Sequence, residues 1–316
     1  MQNVELLSDG SPVRIAGIVE LAPTPDGATT QRLPAWARSQ VMEVAIAAVS
    51  SMPSGSRLEM VTNATAIELD LLVTRIAFPG RDPWPATIDL VVGGEVVATA
   101  ATEEGHLFRL QLPPSTAFDF EPGEATTIRF DGLVAGSKRV EVWLPHNAGV
   151  ELRALRISDG ASVVAPPEPT RRWVHYGSSI SHSMEADSPT GVWPAVAARA
   201  AGVDLYNLGL AGQCQLDQFA ARTIRDLPAD VISLKLGINV VNADTMRERT
   251  FVPAVHGLID TILDGHPDAP VIVISQIICP PAETHPGPTI PDTDRRFSVV
   301  ERPEALSLGA LTLVRI

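Results

Sequence analysis

The hydrophobic pattern of this chain changes character once, across a proline-rich stretch, and that change constrains the fold more than any other feature. Residues 162–172 read SVVAPPEPTRR, with Pro166, Pro167 and Pro169 close together. Proline resists both helix and central strand and favours an extended backbone, so the stretch reads as a linker. Before it, apolar runs are short, rich in Val, Ile and Thr, and broken by Gly, Pro, Asn and Asp. Beyond it, nearly continuous apolar runs alternate with helical patterns. Two domains are expected, residues 1–165 and 171–316, within the size range in which a chain of 316 residues divides.

The first half predicts strands in RLEMVTNATAIELDLLVTRIAF, TIDLVVGGEVVATA, LFRLQLP, TTIRFDGL, RVEVWLP and VELRALRI. Gly93-Gly94 lies between two alternating runs and is a hairpin signal, because both central positions of such a turn favour positive φ. Several short strands at this spacing indicate an antiparallel β-sandwich. The run VMEVAIAAVSS is read as a further strand, by analogy with the runs that follow it. Trp36, Trp84 and Trp143 are the candidates for stacking on sugar rings, but no spacing places them on one face, and core or interface packing is the favoured reading.

The second half predicts strands in WVHYGSS, DLYNLGLAG, DVISLKLGIN and APVIVISQIICPP, with helices in TGVWPAVAARAAG, LDQFAARTIRDL and MRERTFVPAVHGLIDTILDGHP between them. Continuous apolar strands separated by helices are the signature of a parallel sheet covered on both faces, a doubly wound α/β domain. Residues 280–303, with six prolines from Pro280 to Pro303, are expected to form a long polar loop. PEALSLGALTLVRI is read as a final helix.

Charge and cysteine content narrow the function. The formal net charge is −13, and Lys138 and Lys235 are the only lysines. No basic face exists to neutralise phosphates, so nucleic acid and anionic membranes are excluded as expected partners. The start, MQNVELLSDG, has no cationic segment before an apolar run, and no 18 apolar residues occur together, so a cytoplasmic protein is expected. Cys214 and Cys279, the only cysteines, lack metal-type spacing and are expected as reduced thiols.

In an open parallel sheet, ligands bind outside the carboxyl ends of the strands. Ser178 and Ser179 follow the first of these strands, Gly212 the second and Asn239 the third. These residue types fit acyl transfer. A nucleophilic hydroxyl belongs on a tight exposed turn, a glycine lets substrate approach a backbone N–H, and an asparagine amide adds a second donor to the oxyanion. Each donor is worth about 3–4 kcal/mol in the transition state. Serine is also common where strands simply end. Three histidines are weighed as the base. His182 is read as a helix-start or pocket-rim residue, His175 as a satisfied core histidine, and His285 as able to reach the rim only if its loop folds over it. Cys214 is expected to be a buried thiol and Asn242 either a pocket residue or a helix N-cap. Lys235, the lone charge of its strand, is placed near the strand end or against a carboxylate.

YGSSIS, NLGLAGQC and LGINVVN, in this order on these strands, resemble the first three sequence blocks of the SGNH (GDSL-type) hydrolase superfamily. The resemblance covers about residues 170–316 and implies a flavodoxin-like α/β/α fold, with Ser179 as nucleophile and Gly212 and Asn239 in the oxyanion hole. Family members hydrolyse or transfer acyl groups on esters without a metal or nucleotide cofactor. The preceding sandwich resembles the carbohydrate-binding-module-like domain of a two-domain subgroup. Ser178 stands where the family usually has Asp, and Val240 where many members have another. The family's last block, D-x-x-H, supplies the base and its orienting carboxylate; no aspartate here is followed by histidine at that spacing. The α/β domain is therefore read as truncated relative to the family, and the chain as written as a weak or inactive enzyme. The resemblance implies a serine esterase for a small or carbohydrate-linked ester. An acyltransferase using the same serine and a glycan-binding protein with an inert α/β half are the alternatives.

Overall fold

The computed structural model describes residues 1–41, 43–111, 117–291 and 297–316. The chain divides into two compact units, one of residues 1–172 with 183–207 and the other of residues 173–182 with 208–316.

The first unit is built on two sheets. In the larger, Ile67–Ala77 pairs antiparallel with Ala148–Ile157, from Ile67 opposite Ile157 to Arg75 opposite Ala148. In the other, Arg57–Thr62, Lys138–Trp143, Ala86–Val92 and Glu95–Thr102 lie side by side. Alternate residues point to opposite faces of a strand, and the inward set here is apolar: Leu58 and Met60, Ile67, Leu69, Leu71 and Val73, Ile88 and Leu90, Val140 and Val142 are all buried in one core. Gly93 and Gly94 have φ of 61° and 93° and turn the chain so that Val92 pairs with Glu95. This is the β-sandwich that the first half predicted.

Several local expectations are corrected. VMEVAIAAVSS is not a strand: Val44–Ser50 is a helix that buries Ile46 and Val49 three residues apart, and its alanines favour that state. Within 162–172, Val163–Val164 pairs with Thr62 and Val61, so the extended linker begins only after it. The tryptophans, by contrast, follow the favoured packing reading: Trp143 is a core residue at 1 % exposure, with the Arg57 guanidinium 5.0 Å from its ring centre, and Trp84 meets Phe78 edge-on at 5.7 Å.

Residues 183–207 belong with this unit for visible reasons. The buried Asp89 carboxylate accepts the Thr190 N–H at 3.0 Å and its hydroxyl at 2.6 Å. His146 Nε2 lies 2.9 Å from the Ala186 carbonyl. Asp204 is paired with Arg57 at 2.7 Å and Arg14 at 3.1 Å, while Glu59 is held by Arg57 at 2.6 Å and by Arg14.

The parallel sheet comprises β1 (Arg172–Gly177), β2 (Asp204–Gly209), β3 (Val231–Lys235) and β4 (Val271–Val273), in the order β2-β1-β3-β4. This is the strand order of a flavodoxin-like sheet. The crossovers contain α1 (Ser179–His182), α2 (Trp193–Ala201), α3 (Gln218–Asp226), α4 (Ile238–Ala243) and α5 (Glu248–Gly265). Toward the C-terminus the expectations again need correction. PEALSLGALTLVRI forms two short 3₁₀ turns, Glu304–Ser307 and Leu313–Arg315, because Gly309 between them takes φ of 69° and breaks any continuous helix. The 280–303 segment is not wholly irregular: Pro280–Glu283 is helical, and Thr289–Pro291 pairs with Phe297–Val299. Residues 292–296 of that segment lie outside the described residues. Among the described residues, no helix is long and apolar enough to cross a membrane.

Candidate active site

The buried strand β1 ends at Gly177, and the two serines after it face different ways. Ser178 is fully buried, and its carbonyl accepts the N–H groups of Ser181 at 3.1 Å and His182 at 3.0 Å. Ser179 opens α1 and is exposed. Of the pair, only Ser179 stands open to a ligand.

β2 leads to a second tight element. The Leu210 N–H bonds the Gly177 carbonyl at 2.9 Å, and a 3₁₀ turn, Ala211–Gln213, follows against which α1 packs. Ala211 sits at φ of 50°, a left-handed conformation that strains a residue with a Cβ. Gly212 is exposed, and a Cβ built on it would meet no atom within 4 Å. The space above its backbone is open.

The third element follows β3. Gly237, with φ of 104°, turns the chain into α4, whose second residue is Asn239. Its side-chain oxygen accepts the Cys214 N–H at 3.1 Å. That bond uses the acceptor end of the amide, fixes its plane, and leaves the NH₂ end as the one that can donate to a ligand. Cys214 lies two residues beyond Gly212, so the bond also ties the Gly212 turn to α4. All three sequence-predicted residues, Ser179, Gly212 and Asn239, thus lie after the carboxyl ends of adjacent strands.

The other candidates separate clearly. His175 is fully buried, with Nδ1 2.7 Å from Ser233 Oγ and Nε2 2.6 Å from Ser181 Oγ, and burial lowers its pKa to about 3. It is a hydrogen-bonded core residue. His182 is fully buried, not on a rim, because the backbone of α1 lies against Gly209: a Cβ there would come within 2.3 Å of the His182 nitrogen. His285 is exposed and lines a cavity of about 460 Å³ with Pro281, Glu301 and Arg302. Cys214 is buried, and burial pushes its thiol up to about 12, so it is inert as a nucleophile. Lys235 ends β3, and its ammonium donates to the Ser275 carbonyl at 2.5 Å rather than to a carboxylate. Asn242 lies inside α4 and is not an N-cap. Sequence reasoning missed the Cys214 N–H as the anchor of Asn239, since a backbone donor leaves no trace in side-chain types. It also passed over Ser181, whose only signal was a third serine in YGSSIS.

An exposed hydroxyl, an open glycine backbone and an oriented amide are the parts required to attack a carbonyl and hold the resulting oxyanion. Residues 170–283 match the GDSL-like Lipase/Acylhydrolase family. Among solved structures, the chain is similar to the salicylyl-acyltransferase SsfX3 from a tetracycline biosynthetic pathway, with 28% identity and a TM-score of 0.76 over 90% of this chain and 75% of that one. It also shares its fold with a protein from Bacteroides ovatus described as a GDSL-like lipase, at 19% identity and TM-score 0.60, covering 84% of this chain and 72% of that one. A family two carbohydrate esterase from Clostridium thermocellum, in complex with cellohexaose, has the same fold at 13% identity and TM-score 0.57, covering 85% and 79%. No curated protein matches the chain. Residues 170–283 are thus similar to the GDSL-like lipase/acylhydrolase family and are carried in one chain with an N-terminal β-sandwich.

Proposed function

We propose that the chain acts on a small or carbohydrate-linked ester through an acyl-enzyme on Ser179. The observation that carries this reading is the anchoring of the Asn239 side-chain oxygen by the Cys214 N–H, which leaves the amide NH₂ as an oriented donor beside the open Gly212 turn. Ser179 Oγ attacks the acyl carbonyl. The Ser179 and Gly212 N–H groups and the Asn239 amide hold the oxyanion, and collapse expels the alcohol. The step also requires a base to take the serine proton and return it to the leaving oxygen, the part the histidine of the D-x-x-H block plays in the family the sequence resembles, before water releases the acid.

A second reading, transfer of the acyl group to an alcohol in place of water, is supported by the 28% identity to an acyltransferase across 90% of this chain. The two share every step up to the acyl-enzyme. Treatment with a fluorophosphonate probe tests that shared part: labelling of the wild-type protein and none of Ser179→Ala is expected, and equal labelling of both would remove Ser179 from the role. Product analysis with p-nitrophenyl acetate, with and without a polyol acceptor, then separates acid release from new ester.

A further inference from the structure

The buried polar chain beneath α1 has no place in the acyl-transfer steps, yet it ends one residue pair away from the nucleophile. The Trp173 indole N–H donates to Ser233 Oγ at 2.8 Å, Ser233 Oγ lies 2.7 Å from His175 Nδ1, and His175 Nε2 lies 2.6 Å from Ser181 Oγ. A neutral imidazole offers one donor and one acceptor, and a hydroxyl can take either part, so the chain closes in both tautomers. His175, Ser181 and Ser233 are at most 2 % exposed.

Two glycines show that this arrangement is tightly bounded. A Cβ on Gly177 would fall 2.3 Å from Ser181 Oγ, and one on Gly209 would fall 2.5 Å from the Ser181 carbonyl carbon. Ser181 is thus pressed against the end of β1 on one side and the end of β2 on the other. Its hydroxyl is the polar tie between the short helix and the strand below.

We propose that His175 is a positioning residue: through its hydrogen bond to Ser181 it fixes the turn that presents Ser179, with Ser233 and Trp173 holding the imidazole in place. A helix of only four residues has little internal bonding to set its own direction, so an external tie is what orients its first residue. The imidazole touches no substrate in this scheme and acts only through Ser181. The proposal rests on Ser179 being the nucleophile.

The test compares Ser181→Ala, His175→Asn and the double variant in two measurements on the full chain. The first is the rate of fluorophosphonate labelling, with Ser179→Ala as control. About a tenfold fall is expected in each single variant and no further fall in the double, since both remove one tie. The second is amide hydrogen exchange at Ser181 and His182, whose N–H groups bond Ser178; about tenfold faster exchange is expected there, with amides of the Ile67–Ala77 strand unchanged. Wild-type exchange at those two amides in both single variants would overturn the tie, as would losses in labelling that add in the double. If Ser179→Ala labels as fast as wild type, the nucleophile assignment fails, while the exchange data still decide whether His175 holds the turn.

Discussion

Two glycines at the edge of the parallel sheet face different surroundings, and a methyl group distinguishes them. At Gly212 it would enter open space, whereas at Gly209 it would meet the backbone of α1 at 2.3 Å. Gly212→Ala is therefore expected to melt within a degree or two of wild type, as surface changes within about ±0.5 kcal/mol do, yet to lose ester hydrolysis because the methyl occupies the approach to the N–H. Gly209→Ala is expected to lower the melting temperature sharply or fail to fold, and thermal melts of the two variants check the contrast. Asn239→Ala should lower kcat by about 10²–10³-fold with little change in KM, the usual result of deleting one oxyanion donor; an unchanged kcat would exclude the amide from the transition state. The positions of all three candidate residues were legible in the sequence because each follows a strand whose apolar run ends visibly, at Gly177, Gly209 and Lys235. What supports them was not. The Cys214 N–H that anchors Asn239 and the Ser181 hydroxyl that meets His175 depend on which atoms the folded turns bring within hydrogen-bonding distance, and no periodicity encodes that.

Among the elements, the strand Arg57–Thr62 shows how one buried carboxylate controls a sheet. Glu59 has a fully buried side chain bonded by Arg57, Arg14 and Arg139. Burial alone would raise its pKa, but the three guanidinium groups outweigh burial and hold it below the ordinary value of 4.5. A lowered folded pKa gives stability that is fully present above the unfolded value and is lost as pH falls through the folded one. Thermal melts of the wild-type protein should therefore fall steeply below about pH 4.5. Glu59→Gln should melt well below wild type at pH 7, since removing one partner of a buried pair costs about 3–5 kcal/mol, and should show a flatter profile on acidification. A Glu59→Gln profile parallel to wild type would assign the acid sensitivity elsewhere. Strands of this kind were readable from alternation alone. Val44–Ser50 was not, because VMEVAIAAVSS places apolar residues at both strand and helix spacings, and only the burial of Ile46 with Val49 decides between them.

For the whole molecule, the path of the chain matters more than the proline-rich linker. Residues 173–182 belong to one unit, 183–207 to the other, and 208–316 to the first of these again. A cut within 165–171 therefore separates residues that the sequence pattern assigns to one domain from their bonding partners. In a fragment of residues 171–316, Asp204 would lose Arg57 and Arg14, Thr190 would lose the Asp89 carboxylate, and the Ala186 carbonyl would lose His146. Each is a buried or half-buried polar group, and leaving one unsatisfied costs about 1–3 kcal/mol, more where it is charged. Together these losses come to several kcal/mol, a large share of the stability of an ordinary domain, about 5–15 kcal/mol. Scanning calorimetry of the full chain should accordingly show a single cooperative transition, and the 171–316 fragment should give no near-ultraviolet circular dichroism of a packed core. Two well-separated transitions, or a fragment that melts as cooperatively as the full chain, would mean that the segment 183–207 holds its fold without the sandwich residues that bind it here.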